Sequence, residues 1–166
     1  MLLLFRFLRV VLAGLLGPRH GVLDESVLHF RVWPTDIDFN LHLNDGRYVS
    51  LMGLGRAHLL ARTGLLRRAF KRKWAPVVGS AIIRYRREIR TFEKFGLRSR
   101  IIGWDEKWLY IEHVLEAGGN MRATGLVRGA LRDRNGAVPT AEVMKLIGWE
   151  QASPQLPETI HRWRSE

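Results

Sequence analysis

The stretch Asp36-Ile37-Asp38-Phe39-Asn40-Leu41-His42-Leu43-Asn44-Asp45-Gly46 gathers three carboxylates, two amides and an imidazole into eleven residues. It sits where one periodicity gives way to another. Upstream, residues 27–33 alternate loosely between apolar and polar side chains and stop at Pro34, the pattern of a first strand. Downstream, residues 46–60 carry no turn signal apart from Gly53 and Gly55. Their apolar members Tyr48, Val49, Leu51, Met52, Leu54, Ala57, Leu59 and Leu60 run almost completely around a helical wheel. A helix apolar on nearly every side is expected to be buried on nearly every side. Glycine in a helix interior costs about 1 kcal/mol relative to alanine, so Gly53 and Gly55 predict that something approaches the backbone closely there.

A wrapping sheet would make that approach, and the second half of the chain supplies the strands. Residues 77–89, 96–104, 108–116 and 121–132 read as strands separated by turn signals at Thr91 to Lys94, Asp105-Glu106, Gly118-Gly119-Asn120 and Asn135-Gly136. Ile83, Tyr85 and Ile89 alternate with Arg84, Arg86 and Glu88, as on a sheet with one face on a core and the other on solvent. The short connections predict antiparallel neighbours. Residues 141–147 fit a short helix. The fold class is therefore α+β, with five antiparallel strands around one long helix.

Composition bounds the rest. A chain of 166 residues, 46% of them hydrophobic, is one domain long and able to bury its own core. Cysteine is absent, which excludes disulfides, thiolate metal sites and thiol nucleophiles and fits a reducing, cytoplasmic compartment. With 27 Lys and Arg against 16 Asp and Glu, the formal charge of +11 favours an anionic partner. The basic residues lack the interleaved aromatic platform of single-strand readers, so nucleic acid is not the expected partner. His29, His58 and His113 have no partners at metal-ligand spacing and read as structural; neither a metal nor a cofactor is expected.

Residues 1–16 are apolar except for Arg6 and Arg9, one turn apart. The run is short for a membrane span and lacks the basic start and small-residue cleavage site of a signal peptide. Two placements follow: a helix lying in a membrane interface with its arginines among the headgroups, or a helix packed on the domain or on a partner subunit. Gly17-Pro18-Arg19-His20-Gly21 breaks the pattern. The expected organisation is an apolar N-terminal helix and linker over 1–21, a domain over 22–150, and an extended surface tail over 151–166.

A first strand, a long buried helix and four further strands is the element order of the hot-dog fold, and the opening stretch carries a resemblance to one of its families. The run from Asp36 to Tyr48 resembles the loop-to-helix signature of hot-dog acyl thioesterases, Asp-x-Asp-x-x-x-His-x-Asn-Asn-x-x-Tyr. It is similar to that of the 4-hydroxybenzoyl-CoA thioesterase group and to the Asp-x-Asn-x-His of plant acyl-carrier-protein thioesterases, which falls here on Asp38, Asn40 and His42. The resemblance implies that Asp38 acts as nucleophile or general base at a thioester carbonyl. It likewise implies that Asn40 orients the water or the carboxylate, and that His42 is a second acid/base group or a polariser. Asn44 matches the first family Asn, whereas Asp45 stands where the second is expected. Related sequences often carry an acid near Gly53, and none occurs between Gly46 and Leu66.

Electrostatics favours the same place. Amides at a helix N-terminus are unpaired and positively polarised, so Asp45, Gly46 and Arg47 are candidate donors to an oxyanion, with Asn44 or Asp45 as N-cap. Asp36 reads as a support that caps the turn or binds Arg47. The resemblance implies hydrolysis of an acyl-CoA or acyl-carrier-protein thioester by a homodimer or tetramer with sites between subunits. Two alternatives stay open. One is a hot-dog enoyl-thioester hydratase, although the hydratase spacing Asp-x-Asn-Pro-x-His is one residue longer; the other is a non-catalytic acyl-thioester or lipid-binding protein held at a membrane surface by residues 1–16.

Overall fold

In the computed structural model, residues 2–164 are described. Helix α1 (Leu2–Leu16) precedes strand β1 (Ser26–Arg31), a single 3-10 turn (Pro34–Asp36) and the long helix α2 (Asp45–Arg62). Then follow α3 (Leu65–Lys71), β2 (Ala75–Tyr85), β3 (Lys94–Trp104), β4 (Leu109–Ala117), β5 (Asn120–Asp133), the two-residue β6 (Gly136–Ala137), α4 (Thr140–Leu146) and α5 (Glu158–Arg164). The antiparallel sheet has the order β1-β3-β4-β5-β2, with β6 hydrogen-bonded to β5. It curls around α2, giving the hot-dog fold.

Close packing shows most directly at Gly55. A side chain there would collide with Ser99 Oγ and meet Leu97 Cδ2 at 3.0 Å, so β3 lies directly against the helix backbone. Gly53 differs from expectation. A Cβ at that position would meet nothing nearer than the Arg56 guanidinium at 3.6 Å, because this flank of α2 faces open space rather than the sheet. Accordingly α2 is not buried all round: Val49 is 47% exposed, and Gly53, Arg56 and Ala57 are partly exposed along the same stripe. Its other sides are filled by Leu51, Met52 and Leu54 against Phe30, Phe95, Leu97 and Leu115, and by Leu59 and Leu60 against Leu65, Trp74, Ile101 and Leu109.

Two expectations are corrected. Strands β2 and β3 are joined by a short segment yet are not neighbours, since β2 pairs with β5 and β3 with β1. Residues 86–93 cross the end of the β4–β5 hairpin instead, where the Arg86 and Arg87 amides donate to Arg122 O and the Arg122 side chain donates to Glu88 O and Glu93 Oε1. The tail is extended only as far as Pro157, after which α5 packs on the outer face of the sheet. That face carries Tyr110, Ile82, Ile102 and Leu126, and it buries Ile160 and Trp163 of α5. A face so apolar needs a cover, and the tail provides one.

Helix α1 packs along α2 at a close crossing, where a side chain at Gly14 would meet Ala61 Cβ at 2.7 Å. Arg6 and Arg9 part company: Arg6 is buried and Arg9 exposed. The outer face still presents Leu4, Phe5, Leu8, Leu12 and Leu16. No described helix is long and apolar enough to cross a membrane.

Candidate active site

The motif folds as a tight loop ahead of α2. Asp38 N donates to His42 O at 3.0 Å and Leu41 N to Asp38 O at 3.1 Å, with Leu41 in the left-handed region at φ 61°. Ile37 and Leu43 pair across the loop. The crossover segment clamps it from the far side: Leu43 N donates to Ile89 O at 2.9 Å, and Thr91 Oγ1 to Leu41 O at 2.6 Å. Tyr48, the last residue of the motif, is buried edge-on to Tyr85 with ring centroids 5.0 Å apart, and burial first of all pushes its phenol up to about 12.

Within the loop the Asp38 carboxylate is held at one oxygen. Asn40 N donates to Asp38 Oδ1 at 2.9 Å and His42 N to the same atom at 3.4 Å. Asp38 Oδ2 carries no hydrogen bond among the described residues. Asp38, Asn40 and His42 are therefore brought together through backbone amides; no hydrogen bond links their side chains among the described residues. The Asn40 side chain is exposed, and the His42 ring is partly exposed near Glu88.

The helix end is partly spoken for. Asn44 is the N-cap, its Oδ1 accepting from Gly46 N at 3.0 Å, while Asp45 Oδ1 lies 2.8 Å from the same amide. Arg47 N donates to Asn44 O at 2.9 Å. Of the three amides expected to face a substrate, that of Asp45 has no hydrogen bond among the described residues, whereas those of Gly46 and Arg47 already donate.

Asp36 is a support, as its place in the turn predicted, but its main partner lies 30 residues away in sequence. Arg6 reaches it with two bonds, Nη1 to Oδ1 at 2.9 Å and Nη2 to Oδ2 at 2.7 Å, and Arg6 Nη2 also donates to Arg31 O at 3.1 Å. Trp33 N caps onto Asp36 Oδ2 at 3.1 Å; Arg47 Nε stands 3.9 Å from Oδ1 and spends its hydrogen bond on Thr35 O. Arg6 was missed from sequence, where its apolar surroundings point to a headgroup contact. Its signal would have been the cost of leaving a cation inside a mostly apolar run without an acid.

The buried histidines have serine partners. His58 Nδ1 shares a hydrogen bond with Ser26 Oγ at 2.6 Å, and His113 Nδ1 with Ser99 Oγ at 2.8 Å. Burial, reinforced by the Arg56 charge, lowers the His113 imidazole to about 3, so it stays neutral at physiological pH. Both pairs are sealed from solvent; Ser26–His58 ties α2 to β1, and Ser99–His113 joins β3 to β4 beneath the helix. Among the described residues no cluster of three His, Asp or Glu side chains is placed to hold a metal.

The family model of the thioesterase-like superfamily matches residues 32–163, most of the chain. The chain belongs to the thioesterase-like superfamily. It is similar to Protein THEM6 of Danio rerio, with 41% identity over 114 residues, covering 68% of this chain and 56% of the relative. The chain thus spans little more than half the length of that relative. Among solved structures, the probable thioesterase YbaW of Escherichia coli superposes with a TM-score of 0.68 at 19% identity, covering 73% of this chain and 95% of that one. SAV2348 of Staphylococcus aureus, solved in complex with CoA, gives 0.68 at 16% identity over 86% and 95%. At these identities the structures speak for the fold. This thioesterase-like chain keeps the fold's loop-to-helix junction while carrying Gly53 and Arg56, and no acid, along the open flank of its long helix.

Proposed function

We propose that the protein hydrolyses acyl thioesters of CoA or of an acyl carrier protein, with Asp38 as the catalytic carboxylate. The observation that carries this reading is the state of that carboxylate. Two amides hold Oδ1 and leave Oδ2 to act, beside the positively polarised start of α2. In the general-base form, Oδ2 takes a proton from water as the water oxygen bonds to the thioester carbon. The carbonyl oxygen gathers negative charge beside the Asp45 amide. Collapse breaks the C–S bond and the departing thiolate takes a proton, for which the partly exposed His42 ring is the candidate donor. A substrate oxygen that also used the Gly46 amide would share it with Asn44, so Asn44 sets how far the helix end opens. In the nucleophilic form, Oδ2 itself bonds to the carbonyl carbon, the C–S bond breaks and the thiolate leaves taking up a proton, and water then cleaves the anhydride to the free acid and the Asp38 carboxylate.

The excess of arginine fits the phosphates of CoA or the acidic surface of a carrier protein. The outer apolar face of α1 fits a peripheral place at a membrane interface, and the cysteine-free composition a cytoplasmic one. We assign the chain to a homodimer or tetramer. Thiol release measured over acyl-CoA chain lengths tests the activity. Asp38→Asn is expected to lower turnover by roughly 10²–10⁴-fold with unchanged circular dichroism, and His42→Ala to lower it less. Unchanged release by Asp38→Asn would overturn the assignment. Loss of enoyl absorbance without thiol release would mark a hydratase, and tight acyl-CoA binding without either would mark a binding protein.

A further inference from the structure

A groove of about 630 Å³ is bounded by α1, β1, β3 and the end of β4, with Phe5 and Trp33 exposed along it. Three cations line it from three segments: Arg9 of α1, Arg31 at the end of β1 and Lys94 at the start of β3. All three are exposed, and the side chain of none makes a hydrogen bond or ion pair among the described residues. Arg31 and Lys94 stand directly opposite each other in the β1–β3 register. Like charges in that position destabilise a sheet, so folding gives no reason for the pair. The acids nearby are already taken: Asp36 by Arg6 at 2.7 Å, Glu116 by Arg98 at 2.8 Å and Glu93 by Arg122 at 2.7 Å. His29, opposite Gly96, adds an imidazole to the same wall. A Cβ at Gly96 would meet nothing nearer than His29 Cδ2 at 3.9 Å, so the wall is open there.

We propose that this groove receives the headgroup of an anionic phospholipid that carries a phosphomonoester, while α1 lies in the same membrane. A phosphomonoester is close to a dianion with three acceptor oxygens, so it draws on several cations at once, and the guanidinium groups of Arg9 and Arg31 can meet it with parallel N–H pairs. The room suits a headgroup better than bare phosphate. At roughly 30 Å³ per water-sized group the groove holds about 20 non-hydrogen atoms, the size of a phosphorylated sugar ring. The adjoining surface argues for a lipid as the source. Leu4, Leu8 and Leu12 are exposed on α1, and Phe5 joins that face to the groove, so acyl chains would follow the helix as the headgroup sits among the cations. An acidic peptide would answer the charges and leave the leucines uncovered. The inference rests on the peripheral placement of α1 proposed above and adds to it a headgroup class and a binding site. None of Asp38, Asn40 and His42 lines the groove, so it does not depend on hydrolysis.

Co-sedimentation of the full chain with phosphatidylcholine vesicles tests it, the vesicles containing either phosphatidylinositol monophosphate or phosphatidylserine and matched in total charge. The chain is expected to bind the phosphoinositide vesicles at least tenfold more tightly. Arg31→Gln/Lys94→Gln is expected to bring the two vesicles level while binding to both persists through α1. Its urea midpoint is expected to be no lower than that of the native chain, since a like-charge pair has been removed. Gly96→Phe fills the groove with every cation in place and is expected to abolish the preference as well, which keeps the test decisive should the double variant not fold. Soluble inositol bisphosphate is expected to displace the native chain from the phosphoinositide vesicles. Displacement by a glutamate-rich peptide, with inositol bisphosphate inert, would mark an acidic protein as the partner and overturn the proposal. So would a preference undiminished in either folded variant. Equal binding of the native chain to both vesicles removes the headgroup site and leaves the peripheral placement of α1 standing; binding to neither removes both.

Discussion

The Arg6–Asp36 pair ties the N-terminal helix to the residue that opens the loop-to-helix motif, and both side chains are almost fully buried. Removing one partner of such a pair strands the other charge, at a cost of about 3–5 kcal/mol. Arg6→Ala is therefore expected to lower the stability read from urea unfolding by that amount. Asp36→Asn should cost less, because its carbonyl oxygen still accepts from Trp33 N. The double variant Arg6→Met/Asp36→Asn has no stranded charge and should regain most of the loss of Arg6→Ala. If the losses of the two single variants simply add, the pair is not coupled. The same residues show what was legible in the sequence. Asp38, Asn40 and His42 could be grouped because the bonds among them span two and four residues, so a local pattern carries them. The N-cap at Asn44 is equally local. Arg6 and Arg9 could not be told apart, because what distinguishes them is the presence or absence of an acid from a distant segment.

Among the elements, α2 was readable from its length and periodicity, and its burial was overestimated because a wheel cannot tell an apolar side facing a sheet from one facing a cavity. Helices α3 and α5 have seven residues each and, unlike the equally short α4, were not read from the sequence, because two turns give periodicity little to work with. The β2–β3 crossover escaped because a short connection normally joins neighbours; here Arg122 and the motif loop hold it on another course. The contact of α2 with the sheet makes stability depend on pH. His113 lies beneath Gly55 with a pKa of about 3, against about 6.5 in an unfolded chain. Between those values the unfolded state binds the extra proton, so stability rises with pH through this window and is lost as pH falls. His58, lowered chiefly by burial and then by Arg62 and His20, acts in the same direction. Urea midpoints are expected to fall from about pH 6.5 downward, and the slope to flatten in His113→Gln even though that variant starts less stable. An equally steep decline in His113→Gln would show that other groups govern it.

At the scale of the whole molecule, β2 is the long edge of the sheet, eleven residues with Val78 and Tyr85 each more than half exposed. An unpaired edge of that length invites another strand. The open stripe of α2 lies beside it: Tyr85 packs on Tyr48 near the start of the helix, and Pro76 to Val78 share a cavity wall with Ala57 and Leu60 near its end. A second copy related by a two-fold axis near Ser80 and Ala81 would pair β2 with β2 and cover both features at once. Charge favours that register. The run Arg84, Arg86, Arg87 at and just past one end of β2 would lie opposite the uncharged residues 74–77 of the other copy, so a chain of formal charge +11 need not set its arginines against each other. A residue beside a two-fold axis faces its own twin, so one substitution there introduces two like charges at close range. Sedimentation velocity at micromolar concentration is expected to give a dimer for the native chain and a monomer for Ala81→Asp, which is exposed in the single copy and should keep its circular dichroism. A native chain that sediments as a monomer, or an Ala81→Asp variant that remains dimeric, would remove β2 as the contact.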